Sequence, residues 1–282
     1  MRTITRKAFG PTGVDVPNVG LGTWQMENDD ATSAVRALRR GLELGMTHVD
    51  TAELYGSGRA EEIVREAIAG RRDEVFLVSK VLPTNASRRG TLRACEASLK
   101  RLGTDRLDCY LLHWSGSHPL AETFAAFEEL TAQGKIRSFG VSNFGVPELE
   151  EALALAGPGR IAQNQVLYHL GERTIEHEVV PFCEAHGIAV VGYTPFGRGS
   201  FPPASGRAEL SALAEHKGVT PHALALAFLT RRPSLFAIPK SSDVRHVEEN
   251  AGALSLSLSA AEIAAIDQAF PVGKRRRGVA ML

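Results

Sequence analysis

EVFLVSK (residues 74–80), TLRACEASLKRL (91–102) and LDCYLLHW (107–114) together form the stretch of sequence that decides the fold. The first and third segments are short and apolar, which is typical of strands buried on both faces. The middle segment has apolar residues at helical spacing, and Gly103 follows it where a helix should end. A strand, a helix and a second strand in this order predict a parallel β-α-β unit.

The same alternation runs through the rest of the chain. A short apolar or β-branched run precedes a helix-period segment in NVGLGTW (18–24) with DATSAVRALRRGLELG (30–45), THVD (47–50) with AEEIVREAIA (60–69), LDCYLLHW with LAETFAAFEELTAQG (120–134), IRSFGVS (136–142) with PELEEALALA (147–156), IAQNQVLY (161–168) with TIEHEVVPFCEAHG (174–187), IAVVGY (188–193) with the region up to Arg231, and LFAIPK (235–240) with VRHVEENAGAL (244–254). Eight such pairs predict an α/β fold, a (β/α)8 TIM barrel, rather than an open sheet. Gly45, Gly134 and Gly187 also stand where helices should end.

Both ends of the chain extend beyond the predicted barrel. Residues 1–17, with GPTG at 10–13, are predicted to form an N-terminal β-hairpin that plugs the base of the barrel. An extra helix is predicted from near Ser259, followed by a short C-terminal tail that starts at Pro271 and contains KRRR at 274–277. This basic tail is either solvated or folded over the barrel mouth. Since the sequence has no linker or low-complexity tract, residues 1–282 are expected to form one domain.

The composition excludes several classes of protein. Lys plus Arg equals Asp plus Glu at 32 each, so no net charge favours nucleic acid or an anionic membrane. The three cysteines have no CxxC spacing, which argues against a disulfide framework or a zinc site and suits a reducing cytoplasm. Residues 1–16 lack the apolar stretch expected of a signal peptide, and no run approaches the roughly 18 apolar residues of a membrane span. We expect a cytoplasmic monomer that binds a small molecule.

Residues at the ends of the predicted strands are the candidates for chemistry. In a (β/α)8 barrel the carboxyl ends of the strands face one shared site, whereas the other end mainly supports the fold. In chain order these strand ends carry Trp24, Asp50, Lys80, His113, Ser142 with Asn143, Gln165, Tyr193 and Lys240. A site at this end of the barrel is therefore expected to contain several ionisable and amide side chains.

Asp50, Lys80 and His113, with Tyr55 five residues after Asp50, form a set suited to proton transfer. A tyrosine, with a pKa of about 10, serves as an acid at neutral pH only if a nearby cation favours its anion, and Lys80 could supply that charge. A buried lysine needs a carboxylate such as Asp50 to stay charged. His113 would orient a carbonyl oxygen or share the proton. A lone aspartate at a strand end is commonly a turn residue, and a lone histidine after an apolar run is commonly a core residue. Four complementary groups together instead favour a catalytic site.

The sequence resembles the aldo-keto reductase superfamily in segments that follow the family's order and cover essentially the whole chain. These segments are GLGTW (20–24), DTAELYG (50–56), VSK (78–80), LLHW (111–114), GKIRSFGVSNF (134–144), NQVLYH (164–169), GYTPFG (192–197) and IPKSS (238–242). The chain is most similar to small bacterial members of the methylglyoxal reductase type and, more distantly, to diketogluconate reductases. The resemblance implies metal-independent reduction of aldehydes and some ketones, including methylglyoxal, to alcohols. It implies as catalytic residues Asp50, Tyr55, Lys80 and His113, with Tyr55 protonating the carbonyl oxygen as NADPH delivers hydride to the carbonyl carbon.

The resemblance also implies a cofactor site. Its residues are Gly22, Thr23, Trp24, Asp50, Ser142, Asn143, Gln165, Tyr193, Thr194, Pro195, Phe196, Gly197, Lys240, Ser241, Ser242, Arg245, His246, Glu249 and Asn250. By the same resemblance, Ser142, Asn143 and Gln165 hold the nicotinamide carboxamide, and Tyr193 stacks on the nicotinamide ring.

A phosphate site is predicted from the residues themselves. GSGR (56–59) follows the wrong loop for a GxGxxG fingerprint, which argues against a Rossmann domain. Barrels instead bind phosphate after their seventh and eighth strands, often at a helix N-terminus. IPKSSD (238–243) precedes a helix that should begin near Val244, so it brings Lys240, two hydroxyls and backbone N–H groups together. The positive charge of Lys240 favours NADPH over NADH.

Three features depart from the family pattern or admit a second interpretation. His246 stands where many members have an arginine, with Arg245 one position earlier, so the use of NADH also stays open. Glu249 and Asn250 either contact the adenine end or belong to an exposed helix face. GSGRAEE (56–62) replaces a more compact pattern and is expected to be a loop insertion.

The substrate pocket is expected to be lined by Trp24, Tyr55, His113 and Trp114. Aromatic walls suit small, partly apolar carbonyl compounds, although core packing is an alternative role for each tryptophan. Because only about a dozen residues follow Ala269, the pocket is expected to be open and to accept a broad range of aldehydes.

Two other functions are consistent with parts of the pattern. The barrel could be an NADP(H)-binding regulatory or redox-sensing protein with little turnover, although no segment resembles a partner-docking element. It could also be a metal-dependent hydrolase with Asp50 and His113 as ligands. That function needs more ligands at strand ends, and Lys80 would repel the metal ion.

Overall fold

The computed structural model describes residues 4–282, and its centre is a barrel of eight parallel strands. The strands are β3 (Leu21–Gly22), β4 (His48–Asp50), β5 (Phe76–Val81), β6 (Cys109–Leu112), β7 (Phe139–Ser142), β8 (Ile161–Leu167), β9 (Ala189–Tyr193) and β10 (Leu235–Ile238). Each pairs with the next along the chain. The seam between β10 and β3 closes where the Gly20 N–H donates to the Ala237 carbonyl at 2.8 Å and the Gly22 N–H to the Pro239 carbonyl at 2.9 Å. The predicted (β/α)8 barrel is confirmed.

Helices surround the barrel on its outer side. They are α1 (Ala31–Glu43), α2 (Arg59–Ile68), α3 (Arg88–Leu102), α4 (Leu120–Ala132), α5 (Val146–Ala156), α6 (Val179–Ala185), α7 (Arg207–Lys217), α8 (Pro221–Leu229), α9 (Val244–Ala251) and α10 (Ala260–Ala269). Helix α3 ends at Gly103, whose φ of 63° is left-handed and lets its N–H reach the Leu99 and Lys100 carbonyls. Two helices, α7 and α8, occupy the connection between β9 and β10.

The base of the barrel is closed by the hairpin of β1 (Arg6–Ala8) and β2 (Asp15–Pro17). Phe9, in the turn between them, is fully buried, and its ring centroid lies 4.7 Å from that of Phe76 and 4.9 Å from that of Phe236. These rings fill the interior because barrel residues alternate between inside and outside. The predicted N-terminal hairpin is confirmed for the described residues, while residues 1–3 lie outside them.

The segment expected to be a loop insertion after Tyr55 is mostly helical. Helix α2 begins at Arg59, so only Gly56–Gly58 separate it from Tyr55. Glu61 lies in its first turn, where it is fully buried and accepts a hydrogen bond from the Ser79 hydroxyl at 2.7 Å and from Arg101 at 2.5 Å. The prediction of a loop over GSGRAEE was wrong for residues 59–62, because the apolar period of AEEIVREAIA, also predicted as a helix, begins there and places Glu61 on the buried side of α2.

The C-terminal segment folds back across the barrel mouth. Helix α10 begins at the predicted place, with Ser259 and Glu262 forming a capping box. Beyond it, the exposed Arg275 pairs with Glu178 and Arg276 Nη1 lies 3.4 Å from Glu172 Oε2. Two arginines of the KRRR tail thus pair with the connection between β8 and α6, while all four of its residues remain exposed to solvent, so the structure combines the two alternatives.

Among residues 4–282, no helix combines the length and the apolar character that crossing a membrane requires.

Candidate active site

A cavity of about 700 Å³ opens at the carboxyl ends of the strands. Its lining contains sixteen of the predicted site residues, namely Gly22, Thr23, Trp24, Asp50, Tyr55, His113, Trp114, Ser142, Asn143, Gln165, Tyr193, Thr194, Pro195, Phe196, Gly197 and Lys240. The lining also contains residues that the sequence did not indicate, namely Gln25, Leu54, Arg198, Ile238, Met281 and Leu282. We call this cavity the cleft.

Lys80 lies behind the wall of the cleft, where it joins Asp50 to Tyr55. Its ammonium donates to Asp50 Oδ1 at 2.5 Å, to the Thr51 carbonyl at 2.9 Å and to the Tyr55 hydroxyl at 3.1 Å. The Lys80 side chain is fully buried, and these three acceptors match the three hydrogens of its ammonium group. Parallel pairing of β4 with β5 brings the aspartate and the lysine to one end of adjacent strands. Asp50, Lys80 and Tyr55 therefore lie in contact, as the sequence predicted.

The charges of this set are fixed by burial and by each other. Burial disfavours the Lys80 ammonium, but Asp50 and Tyr55 together outweigh it and raise the pKa of Lys80. Burial raises the pKa of Asp50, and Lys80 and Gln165 oppose that rise. Burial also raises the pKa of Tyr55, and Lys80 only partly offsets this, although the sequence suggested that the cation would favour the phenolate. Tyr55 is consequently a protonated phenol at neutral pH, with a cation ready to stabilise its anion.

His113 is a neutral histidine beside Tyr55. The two ring centroids lie 5.7 Å apart in an edge arrangement, and the Trp114 ring centroid lies 4.8 Å from that of His113. Burial, with a contribution from the Lys80 charge, lowers the pKa of His113 to about 2. Its Nδ1 atom is buried without a hydrogen-bond partner among residues 4–282. His113 can thus act on a substrate through hydrogen bonds but not through a positive charge.

An amide network lines part of the cleft. Gln165 Nε2 donates to Asp50 Oδ2 at 2.7 Å, a contact that the sequence did not indicate. The Ser142 hydroxyl donates to the Gln165 carbonyl at 2.9 Å, and the Tyr193 hydroxyl donates to Asn143 Oδ1 at 2.9 Å. These contacts orient the predicted carboxamide-binding side chains and connect them to the Asp50 carboxylate.

Backbone strain is concentrated around the cleft. The non-glycine residues with positive φ among residues 4–282 are Gln25 (61°), Ser57 (53°), Asn143 (63°) and Thr194 (52°). All four lie in turns after the carboxyl ends of barrel strands. For a β-branched residue such as Thr194 this conformation is costly and persists only where the surrounding structure enforces it. The strain marks the carboxyl end as the functional end of the barrel.

The predicted phosphate site is less free than the sequence suggested. Lys240 lies in the cleft wall, but its ammonium pairs with the Asp29 carboxylate, which also accepts from the Ser242 hydroxyl at 2.6 Å. The Arg245 guanidinium pairs with Asp243 at 2.8 Å.

The other predicted residues of the cofactor's adenine end lie beyond Lys240 and outside the cleft wall. They are Ser241, Ser242, Arg245, His246, Glu249 and Asn250. Asn250 is only 4% exposed, so it offers almost no surface to a ligand.

The two tryptophans are half-buried and line the cleft, as predicted for the substrate pocket. The Arg198 guanidinium lies over the Trp24 ring at 5.2 Å, so it crosses the mouth from the turn after β9. Met281 and Leu282 of the tail also line the mouth. Burial raises the pKa of Tyr193 to about 12, and the Leu282 backbone opposes that rise. Both segments cover part of the mouth, and the open pocket with its broad range of aldehydes stays a prediction.

The cleft fits a nicotinamide dinucleotide better than a metal ion. The lining combines amide and hydroxyl groups with the Lys240 ammonium, which matches an aromatic amide with an anionic tail. Residues 4–282 contain no group of three or more His, Cys, Asp or Glu side chains placed to hold a metal ion.

The barrel and the buried Asp50, Lys80 and Tyr55 set together define the class of this protein. The chain belongs to the aldo/keto reductase family, whose model matches residues 18–270. Methylglyoxal reductase YeaE of Escherichia coli (strain K12) is 44% identical over 279 residues, which cover 95% of this chain and 96% of that protein. Glyoxal reductase of Bacillus subtilis (strain 168) is 33% identical over 256 residues, which cover 90% of this chain and 89% of that protein. The predicted family is confirmed.

A solved structure is similar over almost the entire chain. It is an aldo/keto reductase from Klebsiella pneumoniae in complex with NADP and acetate, with a TM-score of 0.92 and 42% sequence identity. The match covers 99% of this chain and 100% of that chain.

Proposed function

We propose that this protein reduces aldehydes and some ketones, methylglyoxal among them, to alcohols with NADPH. The observation that carries the proposal is the contact of 3.1 Å between the buried Lys80 ammonium and the Tyr55 hydroxyl in the wall of the cleft. The names of the methylglyoxal and glyoxal reductases, and the NADP complex of the similar structure, support the substrate class and the cofactor.

Tyr55 is the proposed proton donor. When bound, NADPH supplies the hydride that the carbonyl carbon accepts. As charge develops on the carbonyl oxygen, Tyr55 gives that oxygen its proton, and the Lys80 ammonium stabilises the phenolate that remains. Asp50 keeps Lys80 charged inside the protein. The neutral His113 ring, next to Tyr55, orients the carbonyl oxygen by a hydrogen bond.

The cofactor is proposed to lie along the wall from Tyr193 to Lys240. Its contacts are Gly22, Thr23, Trp24, Asp50, Ser142, Asn143, Gln165, Tyr193, Thr194, Pro195, Phe196 and Gly197 around the nicotinamide half, and Lys240, Ser241, Ser242, Arg245, His246 and Glu249 around the phosphates and adenine. The geometry of the first group supports this assignment, because every member lines the cleft. The substrate is proposed to bind between Trp24, Tyr55, His113 and Trp114.

We also propose that residues 1–282 form one domain and that the protein is a cytoplasmic monomer. Three free, buried cysteines support the assignment to a reducing compartment.

Replacing Tyr55 by phenylalanine tests the reaction. The variant lacks only the hydroxyl, so we expect NADPH to bind with a Kd within about 2-fold of the parent value. Turnover of methylglyoxal should fall at least ~10²-fold, the lower end of general-acid contributions. Binding is measured by quenching of protein fluorescence, and turnover by loss of NADPH absorbance with a panel of carbonyl compounds and both NADPH and NADH.

The matched control is Tyr110→Phe, which removes a fully buried hydroxyl that has no hydrogen-bond partner among residues 4–282. It should keep the parent turnover. Near-normal turnover by Tyr55→Phe would remove Tyr55 as the proton donor. A parent protein that binds NADPH but consumes none with any carbonyl compound would instead indicate the regulatory function.

A further inference from the structure

Asp29 connects the two sides of the barrel seam at the adenine end of the cleft. It lies in the turn between β3 and α1, whereas its partners Lys240 and Ser242 follow β10. A single oxygen, Oδ2, accepts hydrogen bonds from both the Lys240 ammonium and the Ser242 hydroxyl, the latter at 2.6 Å. The Asp29 side chain is about one-third exposed, with a relative accessibility of 35%, so a ligand can reach it from solvent.

We propose that Asp29 is a cofactor-specificity residue that occupies the phosphate-binding donors Lys240 and Ser242, and so weakens the binding of NADPH relative to NADH. The inference rests on the proposed function, in which these donors hold the 2'-phosphate. A phosphate that binds them must first displace the carboxylate.

Competition follows from the chemistry of the groups. A carboxylate and a phosphate both accept hydrogen bonds from an ammonium and a hydroxyl. Asp29 is part of the chain, so its pairing involves no loss of the translational freedom that a free ligand loses on binding. Partial burial opposes its ionisation, but the hydrogen bonds from Lys240 and Ser242 keep the pKa of Asp29 below its usual value. The competing group is thus an anion at neutral pH.

The effect should differ between the two cofactors. A displaced Asp29 carboxylate stays near the 2'-phosphate of NADPH, and like charges at short range repel. NADH carries a 2'-hydroxyl, which brings no such charge and can donate a hydrogen bond to a carboxylate, as ribose hydroxyls do to acidic residues in other NAD-binding folds. Asp29 is therefore expected to weaken the binding of NADPH, with its phosphorylated ribose, and not that of NADH.

Arg245 does not relieve this competition. Its guanidinium lies 2.8 Å from Asp243, and the Asp243 side chain also accepts the backbone N–H of Arg245 at the start of α9. Both predicted cations, Lys240 and Arg245, thus have carboxylate partners.

The test is the binding of two probes that differ only in the 2'-phosphate, namely adenosine 2',5'-bisphosphate and adenosine 5'-monophosphate. Titration calorimetry measures both Kd values for the parent and for Asp29→Asn, which keeps the side-chain shape. We expect the variant to bind the bisphosphate about 3- to 10-fold more tightly, somewhat more than a single exposed ion pair contributes, and the monophosphate within about 2-fold of the parent.

Two further variants make the result decisive. Asp73→Asn makes the same change of net charge at an exposed aspartate that pairs with Arg106, and it should leave both Kd values unchanged. Lys240→Met should weaken binding of the bisphosphate. Suppose that Lys240→Met weakens binding of the bisphosphate, but Asp29→Asn strengthens the binding of neither probe or of both probes equally. The role of Asp29 is then overturned, while the phosphate assignment in the proposed function stands. If Lys240→Met has no effect, the phosphate assignment in the proposed function falls, and the role of Asp29 with it.

Discussion

At the scale of single residues, burial controls which groups of the site carry charge. Lys80 stays cationic because Asp50 and two further acceptors satisfy it. His113 has no such carboxylate partner, so burial leaves it neutral. His48 lies at the start of β4 within the barrel interior, and burial lowers its pKa to about 3. Both histidines bind fewer protons in the folded protein than in the unfolded chain over the weakly acidic range.

This difference predicts a loss of stability on mild acidification. The unfolded histidine takes up a proton as pH falls below about 6.5, whereas folded His113 does not until about pH 2, so unfolding binds a proton between these values. Each such histidine should lower the free energy of unfolding by about 2 kcal/mol between pH 7 and pH 5. His113→Gln should therefore lose about 2 kcal/mol less than the parent over this interval, as measured by urea unfolding at both pH values.

Trp114→Phe is the control for this prediction. It changes a residue in contact with His113 but removes no titratable group, so it should keep the parent's difference between the two pH values. A parent-like difference in His113→Gln would contradict the prediction.

At the scale of elements, the connection between β8 and α6 holds the tail in place. Arg173, only 2% exposed, pairs with Glu176 and Asp267 and donates to the carbonyl of Phe270 at the end of α10. The chain then passes the acidic side chains that pair with Arg275 and Arg276. This series of contacts fixes the path of the chain and delivers its last two residues to the cleft.

Deleting Met281 and Leu282 tests the role of the tail in substrate binding. Both residues line the mouth, so losing this apolar surface should weaken binding of the substrate in the ground state and in the transition state by the same amount. We expect the KM for methylglyoxal to rise about 3- to 10-fold, which corresponds to about 1 kcal/mol, with kcat within about 2-fold. Steady-state kinetics of the shortened protein measure both constants.

Lys274→Gln is the matched control, because it changes an exposed residue at the start of the KRRR segment and leaves the last residues present. Its KM should equal that of the parent. A shortened protein with an unchanged or lower KM would show that the tail does not contribute to substrate binding.

At the scale of the whole molecule, the two ends of the barrel have different tasks. The base is filled by apolar rings from the hairpin and the strands, with Phe9 at the centre. The opposite end contains the cleft, the buried ion pair and the strained turns. Stability and chemistry should accordingly be separable by mutation.

Phe9→Ala tests this separation. Removing a fully buried ring should lower the free energy of unfolding by about 3–5 kcal/mol. The kcat of the folded variant should stay within about 2-fold of the parent value, because the ring lies at the end of the barrel opposite the cleft. Val14→Ala, at a hairpin residue that is 41% exposed, should change stability by no more than about 0.5 kcal/mol. Large loss of kcat in Phe9→Ala without loss of stability would contradict the separation.

The sequence by itself determined the barrel, its helices and the place of the catalytic candidates. Strand and helix periodicities are local, and a parallel barrel brings the carboxyl ends of all its strands together whatever the details of packing. Asp50, Lys80 and His113 could therefore be assigned to one site from their positions at strand ends alone. Tyr55 joined them because it follows Asp50 by five residues, and the resemblance to a family added the roles of these residues and most of the cofactor contacts.

Only the tertiary structure decided what these groups contact. The pairing of Asp29 with Lys240 spans 211 positions, and the contact of Gln165 with Asp50 spans 115. Neither has a local signal, because each depends on closure of the barrel and on the direction of a side chain within it. The same reason applies to the tail, for which the sequence left two alternatives open and the fold placed acidic partners beside Arg275 and Arg276. The sequence thus predicted sixteen of the residues that line the cleft, whereas packing added the remaining ones and decided which groups are already paired there.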